Sequence, residues 1–373
     1  MPSKNLIITA LLLSLSGGGA HAAPTAEPKV LLVVSSEGRD GGKTRPGFEM
    51  EEYASAYLVL RANGLQVEVA SPAGGPVEAD KFEPDDDLIR AVMADANAAS
   101  LLKATRRTQD VKAGEHRAIF VIGGKGAMFD LPKDAALQRL LAGHFERGGV
   151  LAAVCHGPAA FANVTLADGR PLVAGRRVTG FTDEEEKIFG KRWAKEYGFW
   201  LETRLREQGA KWEEAALMMP KWVVDGRLIT GQNPFSTTQT AEAVVQALGR
   251  TPVDRKVFKE EASMRLVQRW LAGEYSEVRS LLQADAARYK IELIAMLGYY
   301  QFESATDDAT RRQALSIMEL AEPHMPHPQL KLGIARAHAA LGNPKRAREV
   351  LTALLAEKPD NAEARKALDA LPS

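Results

Sequence analysis

The chain of 373 residues holds one cysteine, which excludes an internal disulfide. It carries no excess of charge: 48 basic side chains face 48 acidic ones. Without a basic surplus to displace counterions from a phosphate backbone, nucleic acid is not an expected partner. Long apolar runs are missing as well. The stretch from Leu6 to Ser16 is shorter than the roughly 20 residues that a membrane span needs. No Gly-x-Gly-x-x-Gly follows a strand pattern and no Walker loop occurs, so no nucleotide is expected. His324 and His327 have no further ligand set around them, so no metal is expected either.

What is present begins with an address. Lys4, the apolar run, Gly17-Gly18-Gly19 and the small-x-small pattern Ala20-His21-Ala22 read as a secretory signal peptide over residues 1–22, with cleavage after Ala22. No cysteine follows that site, so a lipid anchor is not expected, and the mature chain should be exported, periplasmic and without a membrane span. A lone thiol in an oxidising compartment is a flag in its own right.

Residues 23–250 alternate apolar, β-branched runs with helical patterns. Strands are expected at Lys29–Ser35, Gln66–Ala70, Ala118–Ile122 and Val150–Val154. Helices are expected over Gly47–Asn63, Asp85–Arg107 and Ala135–Arg147. Continuous apolar strands separated by helices imply a parallel sheet covered on both faces, with ligands at the carboxyl ends of its strands. Trp222–Val224 and Leu228–Thr230 flank Asp225-Gly226 and read as a hairpin. Trp193, Trp200, Trp212 and Trp222 cluster late in this part and are expected to serve packing.

Residues 257–373 lose the β signals. In Gln329–Pro359, Gly342, Ala347, Leu351 and Pro359 follow the order of small, alanine and proline positions in a tetratricopeptide repeat. Gly298, Ala314, Ala321 and Pro326 repeat that order, and Leu266–Leu282 with Gly273 reads as a degenerate first unit. The expected architecture is therefore α/β, doubly wound and mostly parallel, followed by an all-α tetratricopeptide-like domain. Such repeats stack their apolar faces and offer a concave surface to a protein partner.

The chemistry centres on Cys155. A strand, Val150–Val154, runs into Cys155-His156-Gly157-Pro158 and then into a helical pattern. A nucleophile on such a turn is lifted out of the sheet, a following helix N-terminus favours thiolate, and backbone N–H groups can hold an oxyanion. Gly157 is expected to let a substrate approach the backbone. Glu49, Glu51 and Glu52 by themselves read as a solvated acidic helix face, and Asp183-Glu184-Glu185-Glu186 as a solvated loop.

AVCHGPAAF resembles the nucleophile motif of the PfpI / class I glutamine amidotransferase-like superfamily. GFEMEEYASAYLVLRANGLQVEVASPAGG, GGKGAMFDLP, RPLVAGRRVTGFTDEEE and VVDGRLITGQNPFS resemble further blocks of its branch of glutathione-independent glyoxalases (glyoxalase III) and heat-shock holding chaperones, in order, over Lys29–Gly249. The resemblance implies a flavodoxin-like fold and a homodimer. It implies Cys155 as nucleophile, His156 as proton shuttle, Glu52 as the carboxyl beside the sulfur, Glu186 (or its neighbour Glu185) as the group that orients His156, and Gly124 and His156 as backbone oxyanion donors. It implies a small aldehyde or ketoaldehyde substrate, methylglyoxal turned to lactate, with no cofactor. Two positions depart from the branch: Lys125 stands where histidine is usual, placing a cation at the pocket mouth, and Ala56 stands where proline is usual. Rival readings are an envelope holding chaperone or interaction module with a silent α/β domain, and a deglycase or other hydrolase on the same site. The absence of a His-x-Glu motif after the nucleophile argues against glutamine amidotransfer.

Overall fold

A computed structural model describes Glu27–Pro372. The signal-peptide segment 1–22 lies outside the described residues. The four apolar runs become strands β1 (Lys29–Val33), β2 (Gln66–Ser71), β4 (Ala118–Val121) and β5 (Val150–Val154), with a short edge strand β3 (Arg106–Arg107) between β2 and β4 in the chain. Every residue of β4 and β5 is buried, which is why these runs are apolar throughout rather than alternating. Helices α1 (Met50–Ala62), α2 (Asp87–Met93), α3 (Ala96–Lys103) and α4 (Ala135–Glu146) connect them. After β5 come a minor pair, β6 (Arg177–Val178) and β7 (Lys211–Trp212), with α5 (Asp183–Phe189) and α6 (Leu201–Glu207) between them. The hairpin β8 (Trp222–Asp225) and β9 (Leu228–Gly231) then leads into α7 (Thr237–Ala247).

The main sheet has the order β3-β2-β1-β4-β5-β9-β8 and is parallel except for β8. The order reverses between β1 and β4, so the carboxyl ends of the central strands open the crevice in which such sheets bind ligands. The expected single helix over Asp85–Arg107 is a correction. Asp95 interrupts it by accepting from the backbone N–H groups of Asn97 and Ala98, capping a second helix, and the last two residues pair with Ala70 and Ser71 as β3.

The remainder is helical: α8 (Lys259–Leu271), α9 (Tyr275–Ala284), α10 (Ile291–Ser304), α11 (Asp308–Ala321), α12 (Pro328–Ala340), α13 (Pro344–Glu357) and α14 (Ala362–Asp369). Three hairpins follow one another, as the repeat pattern implies. Gly298 sits where α10 crosses α11; a Cβ there would lie 2.9 Å from the backbone nitrogen of Met318, so the small residue sets the close approach. Leu217, Met218 and Met219, from the α/β part, are buried in the same apolar cluster as Met264, Val267 and Ile294 of the helices. The two parts therefore share a core. Gln301 adds a buried hydrogen bond to the Leu217 carbonyl at 2.9 Å.

Candidate active site

β5 ends at Cys155, whose φ of 58° lies in the left-handed region that non-glycine residues rarely enter. Both sides of the turn are tied down. The Cys155 N–H donates to the Gly231 carbonyl at 2.9 Å, and the Phe181 N–H donates to the Cys155 carbonyl at 2.8 Å. The sulfur is consequently held at the carboxyl end of the sheet. The following segment, Gly157–Phe161, is a 3₁₀ turn rather than the expected α-helix. Its short run of peptide dipoles leaves the macrodipole argument for thiolate without a helix to support it. A second correction concerns Gly157. It is buried, and a Cβ there would meet the Val121 carbonyl oxygen at 2.5 Å. Its role is close packing of the turn on β4, not access for substrate.

Glu52 is fully buried on α1 and is not part of a solvated face. Gly124 explains how α1 comes so close. It has φ 90°, and a Cβ would fall within 2.6 Å of the Phe48 carbonyl carbon, so only glycine lets this turn lie against the start of α1. One Glu52 oxygen accepts from the Gly123 N–H at 2.7 Å. The other has no hydrogen-bonding partner of full strength, and the polar neighbour it shares the pocket with is Cys155. Burial, reinforced by the charge of Glu49, holds the Glu52 carboxyl well above the usual carboxylate range. Burial also pushes the Cys155 thiol up, with the Glu52 charge adding to it, while the Gly124 N–H works in the opposite direction. Ionising both would place two like charges in an apolar site, at a cost of several kcal/mol per desolvated ion, so the pair carries at most one negative charge near neutrality.

His156 lies across the sulfur from this carboxyl. Its Nδ1 is 3.4 Å from the Cys155 Sγ, and its Nε2 is 2.7 Å from a Glu186 oxygen. With Glu186 ionised, Nε2–H donates to it and Nδ1 keeps its lone pair toward the sulfur. The choice left open between the two neighbouring glutamates is decided by α5. Glu186 faces His156, whereas Glu185 closes a capping box with Thr182 and accepts from the Asn233 amide at 2.9 Å and the Met218 N–H at 3.2 Å. Phe181 covers the imidazole with ring centroids 4.3 Å apart, a contact that no local pattern announces.

The cavity over Cys155 has a volume of about 310 Å³. Gly124, Lys125 and His156 line it, as the sequence implies, together with Glu49, Phe181 and Met218. Lys125 is 3.6 Å from an Asp80 oxygen, so its charge at the mouth is partly paired. Trp193 packs edge-on against Phe129 and does not form a substrate wall. His327 caps α12 by accepting from the Gln329 N–H at 3.3 Å. Among the described residues, the one carboxylate cluster close enough to hold a cation is Glu51, Asp86 and Glu260, and the Lys290 ammonium sits there, 2.7 Å from Glu260.

Burial raises Glu49, Asp130 and Glu185 each to about 7. A carboxyl whose folded pKa exceeds its unfolded value contributes stability that is present below about pH 4–4.5 and is lost as pH rises through the folded pKa. Glu52 acts in the same sense. The buried His116 and His144, held low by burial, act oppositely, with stability lost as pH falls through their range. The carboxyls outnumber them, so the midpoint of thermal unfolding is expected to fall between pH 6 and pH 8. Differential scanning at the two values checks this; a higher midpoint at pH 8 contradicts it.

A buried cysteine–histidine–carboxylate centre at the carboxyl edge of a mostly parallel, flavodoxin-like sheet defines the class of protein. The model of the DJ-1/PfpI family matches residues 44–247, more than half of the chain, and the chain belongs to that family. A tetratricopeptide repeat model matches residues 308–371. Glyoxalase 3 of Candida albicans is 34% identical over 237 residues, covering 59% of this chain and 98% of its own length. The glutathione-independent glyoxalase HSP31 of Saccharomyces cerevisiae is 33% identical over 243 residues, covering 60% and 99%. The crystal structure of glyoxalase III from Candida albicans superposes with a TM-score of 0.54 at 29% identity, over 59% of this chain and 97% of that one.

Proposed function

We propose that the chain is a glutathione-independent glyoxalase that converts an α-oxoaldehyde to a 2-hydroxy acid. The observation that carries this reading is the arrangement around one sulfur: a buried carboxyl beside it whose hold on a proton is raised by burial, and an imidazole nitrogen 3.4 Å away whose other nitrogen lies 2.7 Å from Glu186. The sequence likeness to glyoxalases supports it.

The Cys155 thiol passes its proton to Glu52 as the sulfur bonds to the aldehyde carbon, giving a hemithioacetal. The Gly124 N–H, which favours charge on the sulfur and lines the same cavity, is the candidate to steady the developing oxyanion. His156 Nδ1 stands next to any carbon attached to that sulfur. It removes the proton of this carbon and returns it to the adjacent carbonyl carbon, while the proton taken up by Glu52 passes to the oxygen of that second carbon and the first oxygen closes to the thioester carbonyl; the first carbon is thereby oxidised and the second reduced. Water then cleaves the thioester, and the thiol is restored. The net reaction is R-CO-CHO plus water to R-CHOH-COOH, with no external reductant or oxidant. Proton transfer of this kind contributes roughly 10²–10⁴-fold.

The test is lactate formation from methylglyoxal by the purified chain without glutathione. Lactate that appears in proportion to enzyme supports the reading; methylglyoxal that remains intact sinks it. Export belongs to the same proposal, carried by Leu6–Ser16 and Ala20-His21-Ala22. Amino-terminal sequencing of protein from an envelope fraction should begin at Ala23; a chain that begins at Met1 and stays with the cytosol contradicts it.

A further inference from the structure

The Candida albicans glyoxalase is covered over 98% of its length by 59% of this chain, so more than a third of this chain lies outside that match. The helical region nevertheless reaches the site. Met296, on α10, lines the same cavity as Cys155, beside Phe181, Phe189, Met218 and Phe235. The contact is built, not incidental. Tyr300 of α10 meets Phe189 edge-on at 5.0 Å, and Gln301 holds the Leu217 carbonyl next to Met218. Lys290, just ahead of α10, is 3.4 Å from Asp86 and 3.7 Å from Glu51. Met296 keeps 41% of its surface exposed, although it sits among buried neighbours, because it faces the cavity and a second hollow at once. That second hollow, of about 250 Å³, is lined by Tyr299, Met325 and Leu330 together with Glu292, His327 and Gln329, and shares Met296 with the cavity over the sulfur.

Size points the same way. The cavity of about 310 Å³ lies in the range of roughly 300–1,000 Å³ typical of small-ligand pockets, and a three-carbon aldehyde leaves part of its apolar wall untouched. Most of the charged lining residues, Glu49, Glu51, Lys81 and Lys125, come from α1 and the loops beside it, whereas the apolar ones come from the later loops, α5 and α10, which also contribute Glu185 and Asn233.

Resting on the glyoxalase reading, we infer that the helical region is part of the substrate-binding wall and that the site selects an α-oxoaldehyde whose substituent is apolar and larger than methyl, an aryl or extended alkyl group seated against Met296 and Phe235. Met296 is then a specificity-determining residue that the α/β part alone does not supply.

The experiment compares phenylglyoxal with methylglyoxal on the full chain and on Met296→Asn, an exchange that the exposed position tolerates. The wild type should favour phenylglyoxal at least about tenfold in kcat/KM, the size of effect an apolar pocket gives for added apolar groups. Met296→Asn should remove most of that preference by raising KM for phenylglyoxal. Equal or lower kcat/KM for phenylglyoxal in the wild type, or a Met296→Asn loss shared equally by the two substrates, overturns the inference. If neither substrate is consumed, the glyoxalase reading has failed, and the wall is judged by alkylation of Cys155. N-benzylchloroacetamide should outpace chloroacetamide, relative to their rates with free cysteine, by about tenfold in the wild type and far less in Met296→Asn. Equal relative rates in the wild type overturn the wall itself.

Discussion

Cys155→Ala is expected to lose lactate formation by at least about 10³-fold, to the level of the uncatalysed reaction, because no other group in the cavity can form the carbon–sulfur bond on which the later steps depend. The structure says why this is a test of chemistry and not of folding. Alanine is smaller than cysteine and removes only the sulfur, and the turn is held by backbone hydrogen bonds of residue 155 to Gly231 and Phe181 that do not involve the side chain. The unusual φ of 58° is carried equally by the variant. An unchanged unfolding midpoint with turnover gone places the sulfur in the reaction. Turnover within a few-fold of wild type would falsify the nucleophile assignment and with it the whole scheme. A third pattern, no lactate from either protein but a partner protein retained by both, moves the α/β part to the scaffold reading.

Glu52→Gln comes next in size, with turnover expected to fall by about 10²–10⁴-fold, the range for losing a positioned proton acceptor. Glutamine keeps the oxygen that accepts from the Gly123 N–H and keeps the volume, so the turn and α1 should stay in place. It removes the buried carboxyl that takes up the thiol's proton. The pH dependence of alkylation separates this from a packing effect. In the wild type the sulfur and Glu52 share one proton and titrate as a pair. In the variant the Glu52 charge that adds to the upward push of burial on the thiol is gone. The midpoint for reaction with a thiol probe should therefore fall. A midpoint that stays or rises, with turnover near wild type, shows Glu52 to be a spacer and leaves thiol activation to His156.

The strands and the turn that bears Cys155 were legible in the chain because they are local. A run such as Val150–Val154 is apolar at every position for one reason, burial on both faces, and that reason leaves a mark on consecutive residues. The helical pairs were legible from small residues, but the two glycines matched in the sequence are not equivalent: Gly342 sits in the turn between α12 and α13, whereas Gly298 lies inside α10 where it crosses α11. The catalytic candidates Cys155, His156, Glu52 and Glu186 were reached through family motifs, not through periodicity, which by itself reads both acidic runs as solvated. What the tertiary structure decided depends on residues far apart in sequence. Glu52 is buried against Gly123, 71 residues away, so its raised hold on a proton follows from sheet register and from the glycine that lets α1 approach. Glu186 rather than Glu185 faces His156 because the capping box of Thr182 fixes the rotation of α5. The break at Asp95, the 3₁₀ turn after Cys155 and the packing role of Gly157 each arise where a backbone hydrogen bond or a close carbonyl overrides a local pattern. Met296 is the extreme case: nothing in the helical sequence marks it, and it meets the sulfur's cavity only because the helical core is completed by Leu217, Met218 and Met219 from the α/β part. Local sequence determines which residues can form an element; which of them share a cavity is set by how the elements pack, and packing is a property of the whole chain.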